Sequence, residues 1–257
     1  MMPVTRSPGS DTGTIVTDMP QGYGTRARTT LTVVVVLILT TLAAAGVDTA
    51  VAARAERRLS QHAAEVGELT SPPEAYIGGF PYAISALTGS YTRVSVSALD
   101  QPLPGFGFAS VGVDALGLDT RTMTANVLRR SVRLDAVALA QLLNLPDLDI
   151  TNPYDISPAG GGVSEARLTA TLPGTTTAST AVVTLRLVDG AFVMRPSEVE
   201  PASGAGVDDV IKALSYELDT LTLPLGGPAD MVQLSGGSIY FSRDVVNAAV
   251  DADDLVP

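Results

Sequence analysis

The chain has 257 residues, 46% of them hydrophobic and only 17% charged, with 16 Lys and Arg against 27 Asp and Glu and a formal net charge of −11. That composition excludes a disordered chain, and the acidic balance excludes a general nucleic-acid binder, which presents a basic face. There is no cysteine, no tryptophan and a single histidine, His62, which excludes disulfide scaffolds, thiol nucleophiles and Cys zinc sites and leaves almost nothing for His-based metal sites or triads.

Residues 1–28 are polar, rich in Gly, Thr, Ser and Pro, and include Arg6, Arg26 and Arg28. They show no periodicity and are expected to form a disordered cytoplasmic tail. The segment 29–47 contains an uncharged apolar run of 17 residues, Leu31 to Val47, which Asp48 ends. That length is at the short end of the roughly 17–25 residues needed to cross a bilayer as a helix. Arg26 and Arg28 directly before it place the N-terminus in the cytoplasm and export the domain over 48–257. Two readings compete. Ala43-Ala44-Ala45 and Ala50-Val51-Ala52 are small-residue sites suited to a cleaved signal peptide, whereas the long polar tail and the four consecutive valines suit an uncleaved signal anchor. The expected location is accordingly the cell membrane, single-pass with an exported C-terminal domain, or the periplasmic space if the segment is cut.

In the exported part, Val47, Val51, Ala55, Leu59, Ala63 and Val66 have helical spacing, with Arg54, Arg57 and Arg58 on other faces, until Ser71-Pro72-Pro73 breaks the pattern. The pattern then becomes mostly β. Ile84 and Leu87 mark a short apolar turn or helix that Thr88-Gly89-Ser90 ends. Val94, Val96 and Ala98 alternate with polar residues, as in a half-buried strand, and Gln101 to Gly105 reads as a turn. Ala109, Val111, Val113 and Ala115 line one face of the next strand. Leu116 and Leu118 fall on its opposite face, the slip that a β-bulge produces. Asp135 is the expected cap of a helix with the stripe Leu139, Leu142 and Leu143, ending near Pro146. Strands are expected around Ala166–Leu172, Ala181–Leu187 and Phe192–Met194. A helix over 207–221 follows, with Val207, Val210, Ile211, Leu214, Leu218 and Leu221 on one stripe. Ile239 and Phe241 mark a last strand, and Asp251 to Pro257 is expected to fray. Strands that follow one another without crossover helices predict an α+β fold with an antiparallel sheet.

The sequence holds no nucleophile elbow, Walker loop or dinucleotide fingerprint, so no cofactor is expected. Asp251, Asp253 and Asp254 lack the glycine and bidentate Glu of a calcium loop, and Gly160-Gly161-Gly162 reads as a flexible turn. Apolar residues instead occur on both faces of several strands: Leu116 and Leu118 oppose Val111 and Val113, and Val182 and Val188 oppose Val183 and Leu187. Such a sheet is either covered on both sides or lines an apolar cavity, and beside a membrane the natural apolar ligand is a lipid.

The segment Tyr76-Ile77-Gly78-Gly79-Phe80-Pro81-Tyr82, followed by Leu87-Thr88-Gly89-Ser90-Tyr91 and the strand Arg93-Val94-Ser95-Val96, resembles the signature of the actinobacterial LmeA family. That signature is a Gly-Phe-Pro-Phe run and a Gly-x-Tyr turn into an alternating strand. Tyr82 stands where the second Phe is usual, and the stretches 101–107 and 173–177 depart from the common pattern. The resemblance implies a phospholipid-binding cell-envelope protein, with best-known relatives acting in lipomannan and lipoarabinomannan maturation. It also implies a TULIP-like fold, a strongly curved antiparallel sheet wrapped around a long helix, and it supplies no catalytic residues.

The expected lipid contacts are Phe80, Tyr82, Ile84 and Leu87 as an apolar mouth, Leu116 and Leu118 on a strand, Leu139, Leu142 and Leu143 on the short helix, and Ile211, Leu214 and Leu218 on the later helix. The first four would serve equally as a core staple. The leading expectation is a noncatalytic phospholipid binder or carrier whose partners are acyl chains, the cytoplasmic membrane and envelope glycolipid-synthesis proteins. No nucleic acid and no metal is expected. The alternatives are a membrane-anchored scaffold for envelope-biosynthesis enzymes with a fully packed core, and a carboxylate-based glycan hydrolase.

Overall fold

A computed structural model describes residues 23–69, 71–153 and 163–257. Most of the expected disordered tail and the triple-glycine turn at 160–162 lie outside the described residues. The chain divides into two compact units, Met1–Val47 and Asp48–Pro257. Helix α1 (Tyr23–Val66) begins in the first, where the side chains from Val34 to Leu39 are exposed. Its stretch Val34–Val66 is long and apolar enough to cross a membrane.

The second unit is α+β and wholly antiparallel. One sheet has six strands in the order β1 (Glu74–Gly78), β2 (Ser90–Leu103), β3 (Gly107–Asp119), β4 (Thr124–Leu134), β11 (Ser238–Ala249) and β10 (Met231–Ser235). It curls strongly into a half-barrel, as the family resemblance implied. The other sheet runs β5 (Asp149–Thr151), β6 (Val163–Ala170), β7 (Ser179–Val188), β8 (Ala191–Glu200) and β9 (Tyr216–Asp219). Three short helices interrupt the strands: α2 (Tyr82–Thr88) between β1 and β2, α3 (Ala136–Leu143) between the two sheets and α4 (Val207–Ala213) between β8 and β9. Asp135 caps α3 as expected, accepting the Ala138 N–H at 2.8 Å.

Period-two alternation builds the core. Ala98, Ala109, Val111, Val132, Leu134, Ile239 and Phe241 of the first sheet face Leu168, Val183, Leu185, Phe192 and Met194 of the second. Phe192 and Phe241 meet edge to face with centroids 5.0 Å apart, a favourable aromatic geometry. A second, smaller core lies farther along the first sheet, where Val94, Val113, Ala115, Leu118, Ala125 and Leu128 pack with Leu59 of α1 and with Val250 and Leu255. Arg130 and Arg243, opposite each other on β4 and β11, stand on the row between the two cores. Arg130 pairs with Asp254 at 2.8 Å, and Arg243 donates to the Gly226 carbonyl.

Several expectations are corrected. The helix over 207–221 stops at Ala213; Tyr216 to Asp219 instead form β9, because the open edge of β8 offers them a ladder and Leu218 a place in the core. The turn expected at 101–105 begins later, since β2 runs to Leu103, and the bulge lies at Ala98/Gln101 rather than near 116. At 117 the phase changes through the backbone: Gly117 has φ +62°, and Leu118 rejoins the buried face while Leu116 stays half-buried on the other. The C-terminal segment does not fray. Asp253–Leu255 form a 3₁₀ turn, Leu255 is buried, and Asp254 is held by Arg130. Strands β4, β5 and β10 had no counterpart in the sequence reading. Arginines interrupt the first, and the other two are only three and five residues long.

Candidate functional site

The expected site residues do not converge on one place. Leu139, Leu214 and Leu218 are in the main core, and Leu118 is in the smaller one. Leu142 and Leu143 are only partly buried and line a cleft of about 490 Å³. Phe80, Ile84 and Leu87 are exposed by 81%, 56% and 81%, whereas Tyr82 between them is buried. Leu116 is half-buried on the outer face of the first sheet, and Ile211 is exposed on α4.

The cleft is built by two short helices and the loops beside them. α3 contributes Leu142 and Leu143, and the loop after β6 contributes Leu172, Pro173 and Thr175. The other wall is Ala205, Ala213 and Tyr216. The loop is pinned from below: Thr171 donates its backbone N–H to both oxygens of Asp147, at 3.0 and 3.1 Å. Hydrogen bonds from Thr171, first through its side chain and then its backbone, hold the Asp147 carboxyl below the usual aspartate range. The cleft volume falls within the roughly 300–1,000 Å³ of small-molecule sites.

Its lining is mixed, with Thr175, Asp209, Lys212, Ser215 and Tyr216 bringing polar groups beside the apolar side chains. Asp209 accepts the Gly206 N–H at 3.2 Å, so this carboxylate is engaged by the backbone. Lys212, the single lysine of the chain, stands on the last turn of α4, exposed at the cleft, and among the described residues it forms no salt bridge. Leucine, proline and alanine side chains thus stand beside an ammonium and a carboxylate one turn apart on α4, Lys212 and Asp209. The sequence reading singled out Leu142 and Leu143 but missed Lys212, Tyr216 and the 172–175 loop. The signal for Lys212 was its singularity.

A second feature is the segment around α2. Asp48 accepts the N–H groups of Tyr82 at 2.7 Å and Ala83 at 2.8 Å, satisfying the free donors of the helix start. Farther along α1, Glu56 accepts the Ile77 N–H at 3.1 Å and the Ser60 hydroxyl donates to the Pro73 carbonyl at 2.6 Å. These three side chains, spaced by four or eight residues, lie on one helix face. Tyr82 packs on Tyr91 with ring centroids 6.2 Å apart, and burial, with Tyr91 and Glu56 beside it, raises its phenol above the usual value. Gly79 permits the approach: its φ is +147°, and a Cβ there would lie 2.5 Å from the Ser85 hydroxyl.

A third feature is polar. The outer face of the curled sheet holds a hollow of about 370 Å³ lined by serines, by the pair Arg93 and Asp114, and by Arg129 and Arg133. Among the described residues no group of three or more His, Cys, Asp or Glu side chains converges.

A family model described as LmeA-like phospholipid-binding matches residues 46–242. The chain belongs to this family. No curated protein and no solved structure matches it. The match covers α2, every residue of the cleft and both sheets up to Ser242 of β11, and the family places phospholipid as the ligand class of this LmeA-like chain. The segment that carries the resemblance, 76–96, is the one that Asp48 and Glu56 bind to α1, with Ser60 holding Pro73 just before it.

Proposed function

We propose that this LmeA-like chain is a noncatalytic phospholipid binder or carrier of the cell envelope, working on the outer side of the cytoplasmic membrane. The observation that supports this reading is the cleft between α3, α4 and the 172–175 loop, where Leu142, Leu143, Leu172 and Pro173 lie opposite the exposed Lys212. Acyl carbons bind against Leu142, Leu143 and Leu172, where their transfer from water contributes about 25 cal/mol per Å² buried. The phosphate lies at Lys212. The apolar run 31–47 serves as anchor or export signal. The physiological setting is lipoglycan maturation of the lipomannan type, with glycolipid-synthesis proteins as neighbours.

Photo-crosslinking tests the reading. The full chain is placed in vesicles containing a phospholipid with a photoreactive group on an acyl chain. Adducts in peptides covering 142–143, 172–175 and 205–216, with the recovered lipid chemically unchanged, are the expected result. Adducts confined to 31–47, which any membrane helix would give, overturn it.

A further inference from the structure

We infer that α2 and the adjoining β3–β4 turn form a second lipid-facing surface, one that lies on the bilayer itself. The inference rests on the proposed membrane role of the 31–47 run, and the surface is separate from the cleft.

The surface consists of Ile84 and Leu87, three residues apart on one side of α2, and Phe80 in the bend just before the helix, all three exposed. Residues 75–92 contain no charged side chain, so the segment can meet hydrocarbon without desolvating an ion. The β3–β4 turn is tied to the end of α2: Thr120 donates to the Gly89 carbonyl through its N–H at 2.8 Å and its hydroxyl at 3.1 Å. That turn adds Met123, 42% exposed, and Arg121, whose guanidinium donates to the Leu87 carbonyl at 3.1 Å. Apolar side chains around an arginine at their edge are the arrangement by which a protein surface seats in the interfacial zone, with hydrocarbon below and phosphate beside the cation.

The occupant follows from where the surface is held. Asp48, whose two carboxylate oxygens cap α2, is the residue directly after the uncharged run that ends at Val47. Along the chain, the residue that caps α2 is therefore the first one after the membrane-length run. A net charge of −11 gives bulk attraction to anionic lipid no role, so contact at this surface is apolar with one local arginine.

The absence of native cysteine makes the test direct. Single variants Phe80→Cys, Ile84→Cys and Leu87→Cys of the full chain, each carrying a polarity-sensitive fluorophore, are reconstituted in phosphatidylcholine–phosphatidylglycerol vesicles. Leu99→Cys, about 30 Å along β2, is the control. The expected result is blue-shifted emission at 80, 84 and 87, quenched severalfold more by headgroup-proximal spin-labelled lipid than at Leu99. Water-like emission at all three overturns the inference. A blue shift without quenching by lipid means that protein covers the face, and it also overturns it. Crosslinking at the cleft with wet labels at α2 defeats this surface alone, whereas dry, lipid-quenched labels without cleft adducts defeat the cleft alone.

Discussion

Arg129 on β4 and Asp244 on β11 face each other across the strand pair and share two hydrogen bonds, Nε to Oδ1 at 2.7 Å and Nη2 to Oδ2 at 2.6 Å. The fork-to-fork geometry makes this pair stronger than an ordinary surface contact, while the exposure of each side chain by about one third, 34% and 33%, limits it. Asp244→Ala is expected to lower stability by about 1 kcal/mol. A double-mutant cycle with Arg129→Ala, followed by urea denaturation, should return a coupling of the same order. Zero coupling would show that the two bonds are decorative.

Leu214 and Ile211 separate packing from binding. Leu214 is fully buried in the main core, and Leu214→Ala is expected to cost about 2–5 kcal/mol through lost burial and the remaining cavity. Ile211 is exposed by 38%, so Ile211→Ala should change the melting curve little. Equal losses would place Ile211 in a contact with no counterpart in this fold.

Lys212 bears on the ligand. Lys212→Ala should weaken binding of an anionic phospholipid about fivefold, close to the ~1 kcal/mol of a single basic residue near lipid phosphates, and should leave stability unchanged. Titration with phosphatidylglycerol against phosphatidylcholine reads the difference, and an equal effect on both lipids would assign Lys212 no part in selecting an anionic head.

Gly79 tests the local geometry of α2. Gly79→Ala forces a side chain into φ +147° and against Ser85, with an expected cost of about 1–3 kcal/mol. Adding Ser85→Ala removes the hydroxyl but not the backbone strain. Thermal denaturation should therefore show partial recovery only.

Asp147 makes the wall of the cleft sensitive to acid. Its folded carboxyl titrates below the unfolded value because Thr171 donates to it. The contribution is therefore complete above the unfolded value and is lost as pH falls through the folded one. The Thr171 amide resonance, followed by NMR toward acid, should move with a midpoint below that of an ordinary aspartate. Asp147→Asn should remove the transition.

The sequence made legible whatever alternates cleanly. Val94, Val96 and Ala98, or Ala181, Val183 and Leu185, sit on the buried face the pattern assigned them. The antiparallel α+β class followed from the order of such segments. Where two periods fit the same residues, the tertiary partner decided. Leu214 and Leu218 suit both a helical stripe and separate elements, and the unpaired edge of β8 took the second. The candidate site was legible only in part. Leu142 and Leu143 were marked by their stripe, but their distance from Lys212 and Thr175 is set by two sheets meeting, which local spacing does not encode. Phe80, Tyr82, Ile84 and Leu87 read as one apolar set in the sequence, and only the burial of Tyr82 on Tyr91 shows which of the four points inward.

Arg130 and Arg243 divide one sheet into two unequal reserves of cohesion. The larger is rich in leucine and phenylalanine. The smaller relies on Ala115, Ala125 and Ala248 and is sealed by Val250 and Leu255 near the C-terminus. Less apolar area per residue means a lower free energy of local opening, so the two ends of the sheet need not unfold together. The weaker end is also the one beside Ile77 and Tyr91, which flank α2 in the chain. Backbone hydrogen exchange should therefore run in two tiers, with the C-terminal turn acting as the latch of the faster one.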